Sequence, residues 1–122
     1  METPPEVQRL ESWVESYVRA WESNDPDDIG ALFAEEARYF TAPHREPWVG
    51  RDAIVNDWLD RKDELGTWRF RWKVLFVSED GPSFVQGETD YDDGPNYSNL
   101  WLIRLDDDGR CTEFTEWWME RD

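Results

Sequence analysis

The chain has 122 residues, a formal net charge of −16 and nine tryptophans. That length makes a single domain spanning 1–122 with a real core, and the acidity speaks against nucleic acid and anionic membrane as partners, since both need a positive footprint. No apolar run approaches the ~18 residues of a membrane span, no charged-then-apolar leader marks export, and the lone Cys111 fits a reducing cytoplasm.

No Cys/His cluster is available for zinc, so no metal site is expected. The cations are nearly all arginine, with only Lys62 and Lys73 besides. The acidity reads as a solvated surface suited to a salt-rich cytoplasm, or, in the alternative, as a site for cationic ligands. The tryptophan surplus points the other way from a plain core. Indoles that keep the inward phase are too bulky to close against one another, so they suggest a cavity walled with aromatics.

In chain order, Thr3-Pro4-Pro5-Glu6 reads as a capped helix start, with Thr3 as N-cap and Glu6 closing a capping box. Val7, Leu10, Val14, Tyr17, Val18 and Trp21 then recur at helical spacing until Ser23-Asn24. Asp25-Pro26 restarts a short helix carrying Ile29, Leu32 and Phe33; Asp25, Asp27 and Asp28 suit a helix N-terminus rather than a metal. Ala37 to Ala42 reads as a strand, followed by a loop with Pro43, His44 and Pro47. Gly50 leads into a third helix bearing Ile54, Val55, Trp58 and Leu59, with Gly66 past its end.

The second half reads as a strand meander. Trp68, Phe70, Trp72, Val74 and Phe76 alternate with Arg69, Arg71 and Lys73 at a period of two. Val85, Gly87, Thr89 and Tyr91 share one face of the next strand; Tyr97, Asn99, Trp101, Ile103 and Leu105 share one phase of the third; Cys111 to Glu120 makes the last. A four-residue turn at Glu79 to Pro82 pairs Lys73 with Glu88 and Arg71 with Asp90, setting Trp72 beside Thr89 and Val74 beside Gly87. A similar turn at Asp107 to Arg110 pairs Arg104 with Glu113 and Trp101 with Glu116.

This order of elements, with Tyr17-Val18-Arg19-Ala20-Trp21, Asp25-Pro26-Asp27-Asp28-Ile29, Leu32-Phe33-Ala34-Glu35-Glu36-Ala37, Glu46-Pro47-Trp48-Val49-Gly50-Arg51-Asp52-Ala53-Ile54 and Glu113-Phe114-Thr115-Glu116-Trp117-Trp118, resembles the nuclear transport factor 2-like cone fold and, within it, the SnoaL-like proteins. The resemblance implies an α+β domain in which a curved antiparallel sheet packs on three helices and leaves a conical pocket. It fits the fold and leaves the activity open, because the fold hosts isomerases, cyclases, epoxide hydrolases, dehydratases and binders. Carried over by phase, the wall comprises Tyr17, Trp21, Tyr39, Thr41, Trp58, Trp72, Thr89, Tyr91, Tyr97, Asn99, Trp101, Phe114, Glu116 and Trp118, with His44 and Trp48 at the mouth. Tyr17 falls where ketosteroid isomerases place their oxyanion tyrosine, but their two catalytic aspartates fall on Thr41 and Trp101, which speaks against that mechanism. Glu116 falls close to a functional carboxylate of SnoaL-like cyclases and limonene-type epoxide hydrolases.

Glu116, between Phe114 and Trp118 on its own face, is a candidate proton-transfer group with a raised pKa; a structural polar contact, or an exposed position after a bulge, are its other readings. His44 is a candidate proton shuttle or simply a surface residue. Tyr17, Tyr97 and Asn99 are candidate donors to a ligand oxygen, and Asn99 needs a partner in any case. Trp13 and Trp68 read as core. The leading function is a cofactor-free acid/base enzyme of isomerase, cyclase or hydrolase type on a small apolar or aromatic substrate, with Glu116, Tyr17 and His44 catalytic. A non-catalytic binder of a hydrophobic or cationic metabolite is the alternative, and a dimeric scaffold with a vestigial pocket a third. Leu100, Leu102, Trp117 and Met119, in the outward phase of the last two strands, predict a homodimer through the convex face.

Overall fold

A computed structural model describes residues 4–62, 66–78 and 81–121. The elements are α1 (Pro5–Ser23), α2 (Pro26–Gly30), β1 (Phe33–Phe40), β2 (Trp48–Val49), α3 (Arg51–Asp60), β3 (Trp68–Phe76), β4 (Ser83–Tyr91), β5 (Asn96–Leu105) and β6 (Cys111–Arg121). The strands form one curved sheet in the order β2-β1-β6-β5-β4-β3. Helix α1 presents Leu10, Trp13, Val14, Tyr17 and Ala20 to a core shared with Phe33, Val85, Trp101, Ile103 and Phe114. Among the described residues, no helix is long and apolar enough to cross a membrane.

The helix starts differ in detail from the sequence pattern. Helix α1 begins after Pro4, which occupies the N-cap position with no side-chain cap, and the expected capping box falls on Thr3, which lies outside the described residues. Asn24, in the left-handed region, ends α1 by donating its N–H to Ala20 O at 2.7 Å. Asp25 caps α2 as expected, its Oδ1 accepting from Asp27 N at 2.8 Å. Helix α3 stops at Asp60, well before Gly66.

Strand β1 begins at Phe33, not Ala37, and Leu32 and Phe33 are not helical. The chain leaving α2 is captured by β6: Phe33 pairs with Cys111, whose N–H donates to Leu32 O at 2.8 Å. This long-range pairing overrides the helix propensity of Ala34-Glu35-Glu36-Ala37. It is also parallel, so the sheet is mixed where turn signals alone suggest an antiparallel sheet throughout. The two-residue β2 was not expected from the sequence; Trp48 pairs with Tyr39 and thereby joins the sheet edge.

The pairing of β5 with β6 is as the charges suggest, with Arg104 opposite Glu113 and Trp101 opposite Glu116. The β3–β4 register is displaced by two residues: Arg71 lies opposite Glu88, Trp72 opposite Gly87 and Lys73 opposite Gln86. A bulge between Val74 and Phe76 absorbs part of the offset, and the connection is longer than a four-residue turn, its ends tied by Ser83 Oγ accepting from Ser78 N at 3.0 Å. Exposed charge pairs contribute only tenths of a kcal/mol and do not decide a register. Packing does: the Phe70 ring lies over Gly87, where an added Cβ would stand 2.5 Å from Phe70 Cε1 and Cζ. An offset of two preserves both faces, and the charges still meet, Arg71 bonding Glu88 with Asp90 at 3.6 Å, and Arg121 bonding Asp90.

Candidate functional site

The concave side of the sheet and the helices enclose a cavity of about 310 Å³. Five of the nine tryptophans line it, Trp21, Trp48, Trp58, Trp101 and Trp118, together with Tyr17, Tyr39, Thr41, Thr89, Tyr91, Tyr97, Asn99 and Glu116. Strand alternation turns Thr89, Asn99, Trp101, Glu116 and Trp118 to the same side, and the curvature of the sheet brings them toward α1 and α3.

Glu116 points into the cavity. Its Oε2 accepts from Trp101 Nε1 at 3.0 Å and from Asn99 Nδ2 at 2.9 Å. Thr89 Oγ1 donates to Asn99 Oδ1 at 2.8 Å, which turns the amide nitrogen toward the carboxylate. Thr89, Asn99, Trp101 and Glu116 therefore form one hydrogen-bonded chain across β4, β5 and β6. Two N–H donors on one oxygen fix the orientation of the carboxylate.

A second polar group is a pair of phenols. Tyr17 OH and Tyr39 OH are 2.7 Å apart, one donating to the other. Burial pushes both hydroxyls well above the ordinary tyrosine value; for Tyr17 its neighbour Tyr39 and then Glu116 add to the rise, and for Tyr39 Glu116 does. Both are therefore neutral donors at physiological pH. Phe114 packs beneath them, stacked on Tyr39 at 4.6 Å and on Tyr17 at 5.4 Å.

The mouth is built from indoles carrying cations. Trp48 stacks on Tyr39 at 4.8 Å and has the Arg61 guanidinium over its face at 5.8 Å. Trp118 donates Nε1–H to Thr41 O at 3.3 Å, meets Tyr97 edge to face, and has the Arg45 guanidinium over its ring at 5.9 Å. Arg61 and Lys62 themselves line the cavity.

Three residues expected at the site lie elsewhere. His44 is exposed at the tip of the loop after β1, closed by Arg45 N donating to Ala42 O at 3.1 Å, and does not line the cavity. Phe114 is wholly buried in the layer beneath the phenols. Trp72 packs half-buried against the core, because the register offset moves it from the row of Thr89 to that of Gly87. Arg61 and Lys62 were missed, although they stand three and four residues after Trp58 and so continue the inward face of α3. Trp13 is core as expected, donating Nε1–H to Leu32 O at 2.9 Å, and Trp68 stacks on Trp21 at 3.7 Å. The Cys111 thiol is buried and pushed up by burial. Among the described residues no cluster of His, Cys, Asp and Glu is arranged to hold a metal.

The fold is shared with solved structures at low identity. An NTF2-like protein of unknown function from Mesorhizobium loti superposes with a TM-score of 0.71 at 23% identity, over 98% of this chain and 97% of that one. A steroid delta-isomerase from Pseudomonas aeruginosa gives 0.67 at 15% identity, over 96% and 84%. An epoxide hydrolase/cyclase-like enzyme with a role in pyran ring formation in the polyether salinomycin gives 0.73 at 14% identity, over 94% and 93%. No protein of curated function matches the sequence. Residues 14–114 match the SnoaL-like domain, and the chain belongs to that family.

Proposed function

We propose that the chain is a cofactor-free acid/base enzyme of isomerase, cyclase or hydrolase type, acting on a small, largely apolar substrate held between the cavity indoles. The observation that carries this reading is the carboxylate of Glu116 inside an aromatic cavity, its Oε2 fixed by Trp101 and Asn99. Glu116 takes a proton from the substrate as general base, a role that contributes ~10²–10⁴-fold. The Tyr17–Tyr39 pair has two phenolic protons and uses one in its shared bond, leaving one O–H for an oxyanion that develops as the proton departs. Asn99 and Trp101 are positioning residues here, since their N–H groups serve Glu116. Steroid isomerisation by the aspartate mechanism has no support, because Thr41 and Trp101 occupy the positions it needs. The non-catalytic binder remains the rival reading.

The test is deuterium exchange alpha to the carbonyl of 2-tetralone in D₂O, followed by proton NMR. The protein should accelerate exchange above the buffer rate, and Glu116→Gln should return it to that rate while keeping the melting temperature and tetralone binding. Equal exchange by Glu116→Gln removes the carboxylate from the chemistry. Binding without accelerated exchange favours the binder.

We assign the chain to the cytoplasm on its single, buried Cys111, and we propose a homodimer through the convex face. There Leu100 pairs with Trp117 beside Leu102, with Trp117 39% and Met119 71% exposed. Ion pairs border this patch at both ends, Arg38 and Arg104 with Glu113, and Arg71 and Arg121 with Glu88 and Asp90.

A further inference from the structure

The cavity has a polarity along its depth. Its buried end carries an acceptor, Glu116, among Trp101, Asn99 and the phenols; its exposed end carries cations. Acidic residues outnumber basic ones 29 to 13 in this chain, and five arginines meet a carboxylate, Arg38, Arg69, Arg71, Arg104 and Arg121. Arg61 and Lys62 are set apart from the other cations by their place, on the cavity wall, with Arg45 close by at the mouth. The field at the end of α3 accounts for cations following Asp60, but not for both side chains lining the cavity, nor for two guanidinium groups set over the two indoles that frame its mouth. Each guanidinium is steered by an indole face; Arg45 also donates Nη1–H to Thr41 Oγ1 at 3.4 Å, and the remaining N–H groups can serve a further partner.

Resting on the reading of this cavity as a ligand site, we propose that its occupant is a carboxylate: a flat apolar body between the indoles, its reacting C–H or O–H toward Glu116, its carboxylate at the mouth against Arg61 and Lys62, with Arg45 beside them. The charges at the two ends fix the direction of entry. An occupant entering carboxylate first would set its charge against Glu116. A cationic metabolite, one of the expectations from the overall acidity, would meet Arg61 and Lys62 on its way in. The overall charge of −16 repels any anion at long range, so a preference for a carboxylate has to come from these local cations.

The experiment is a tryptophan-fluorescence titration at low ionic strength with three probes of one shape: naphthalene-2-carboxylate, naphthalene-2-carboxamide and naphthalen-2-ylmethylammonium. The carboxylate should bind at least ~10-fold tighter than the amide, the ammonium most weakly, and the preference should shrink as salt screens it. In an Arg61→Gln/Lys62→Gln variant, whose changed side chains are exposed, carboxylate and amide should bind within twofold of each other, with amide affinity and melting temperature unchanged. Lys73→Gln, on the outer face, removes a cation yet should keep the preference. Equal binding of amide and carboxylate by the native protein, or a preference that survives the double variant, overturns the proposal and leaves the cavity reading standing. Binding of none of the three overturns both.

Discussion

Gly87→Ala tests the packing that fixes the sheet register and supports the Glu116 network. In a strand interior with no left-handed backbone, replacing glycine by alanine ordinarily stabilises by ~0.4–1 kcal/mol through the unfolded chain. Here the new Cβ would stand 2.5 Å from two carbons of the Phe70 ring and 3.3 Å from Arg71 O. Carbon atoms rest at about 3.5–4.0 Å, so the ring must retreat by roughly 1 Å. It has little room, being stacked on Trp101 at 4.9 Å and tilted against Trp21 at 5.5 Å, with Trp101 only 2% exposed. Overpacking of this kind costs ~1–3 kcal/mol, which reverses the sign of the substitution. We expect urea unfolding to show a net loss of about 1–2 kcal/mol with unchanged m-value, and a melting temperature lower by ~3–8 °C. Phe70→Leu in the Gly87→Ala background should recover part of that loss, a coupling of ~0.5–3 kcal/mol. A neutral or stabilising Gly87→Ala, or strict additivity with Phe70→Leu, refutes the packing account of the register.

Three further outcomes follow from the same structure. Cys111, Tyr17 and Tyr39 are held protonated by burial above their ordinary values of 9.0 and 10.0; the unfolded chain releases these protons first, so their contribution is complete below pH ~9 and is lost as pH rises, at ~1.4 kcal/mol per pH unit for each titrating group. Urea unfolding between pH 8 and 11 measures the slope, which Tyr17→Phe/Tyr39→Phe should make shallower. Trp101→Phe removes an N–H donor on Glu116 Oε2, a charge-assisted bond of ~1.5–3 kcal/mol, and should slow exchange at saturating tetralone at least ~10-fold. The proposed dimer should bury ~1,200–2,000 Å² in total and tighten with salt as the charge repulsion is screened; sedimentation at low and high salt checks it, and a monomer at both removes the interface.

Much of the fold is written in local patterns. The period of two from Trp68 to Val74 and the helical spacing from Leu10 to Trp21 place β3 and α1 because each buries one face. Elements decided at long range are less legible. The start of β1 depends on Cys111, far along the chain, and the β3–β4 register depends on the fit of Phe70 over Gly87, which charge alternation does not report. The cavity wall follows from strand phase, so Thr89, Asn99, Trp101, Glu116 and Trp118 could be named from it. Phase does not report depth, and Phe114 shares the phase of Glu116 yet lies beneath the phenols. Nor does phase report hydrogen bonding: Tyr39, read as wall, is half of a phenol pair, and Asn99, read as a ligand donor, orients the carboxylate. Arg61 and Lys62 were legible in principle from their spacing after Trp58, but a helix end in an acidic chain reads first as surface.

The most direct measurement of the central claim is a crystal structure of the protein with naphthalene-2-carboxylate. The account predicts the ring system between the cavity indoles, its inner edge toward Glu116 and its carboxylate at Arg61 and Lys62, with Trp101 and Asn99 still donating to Glu116. A ligand bound outside the cavity, or Glu116 turned away from it onto the convex face, contradicts the account.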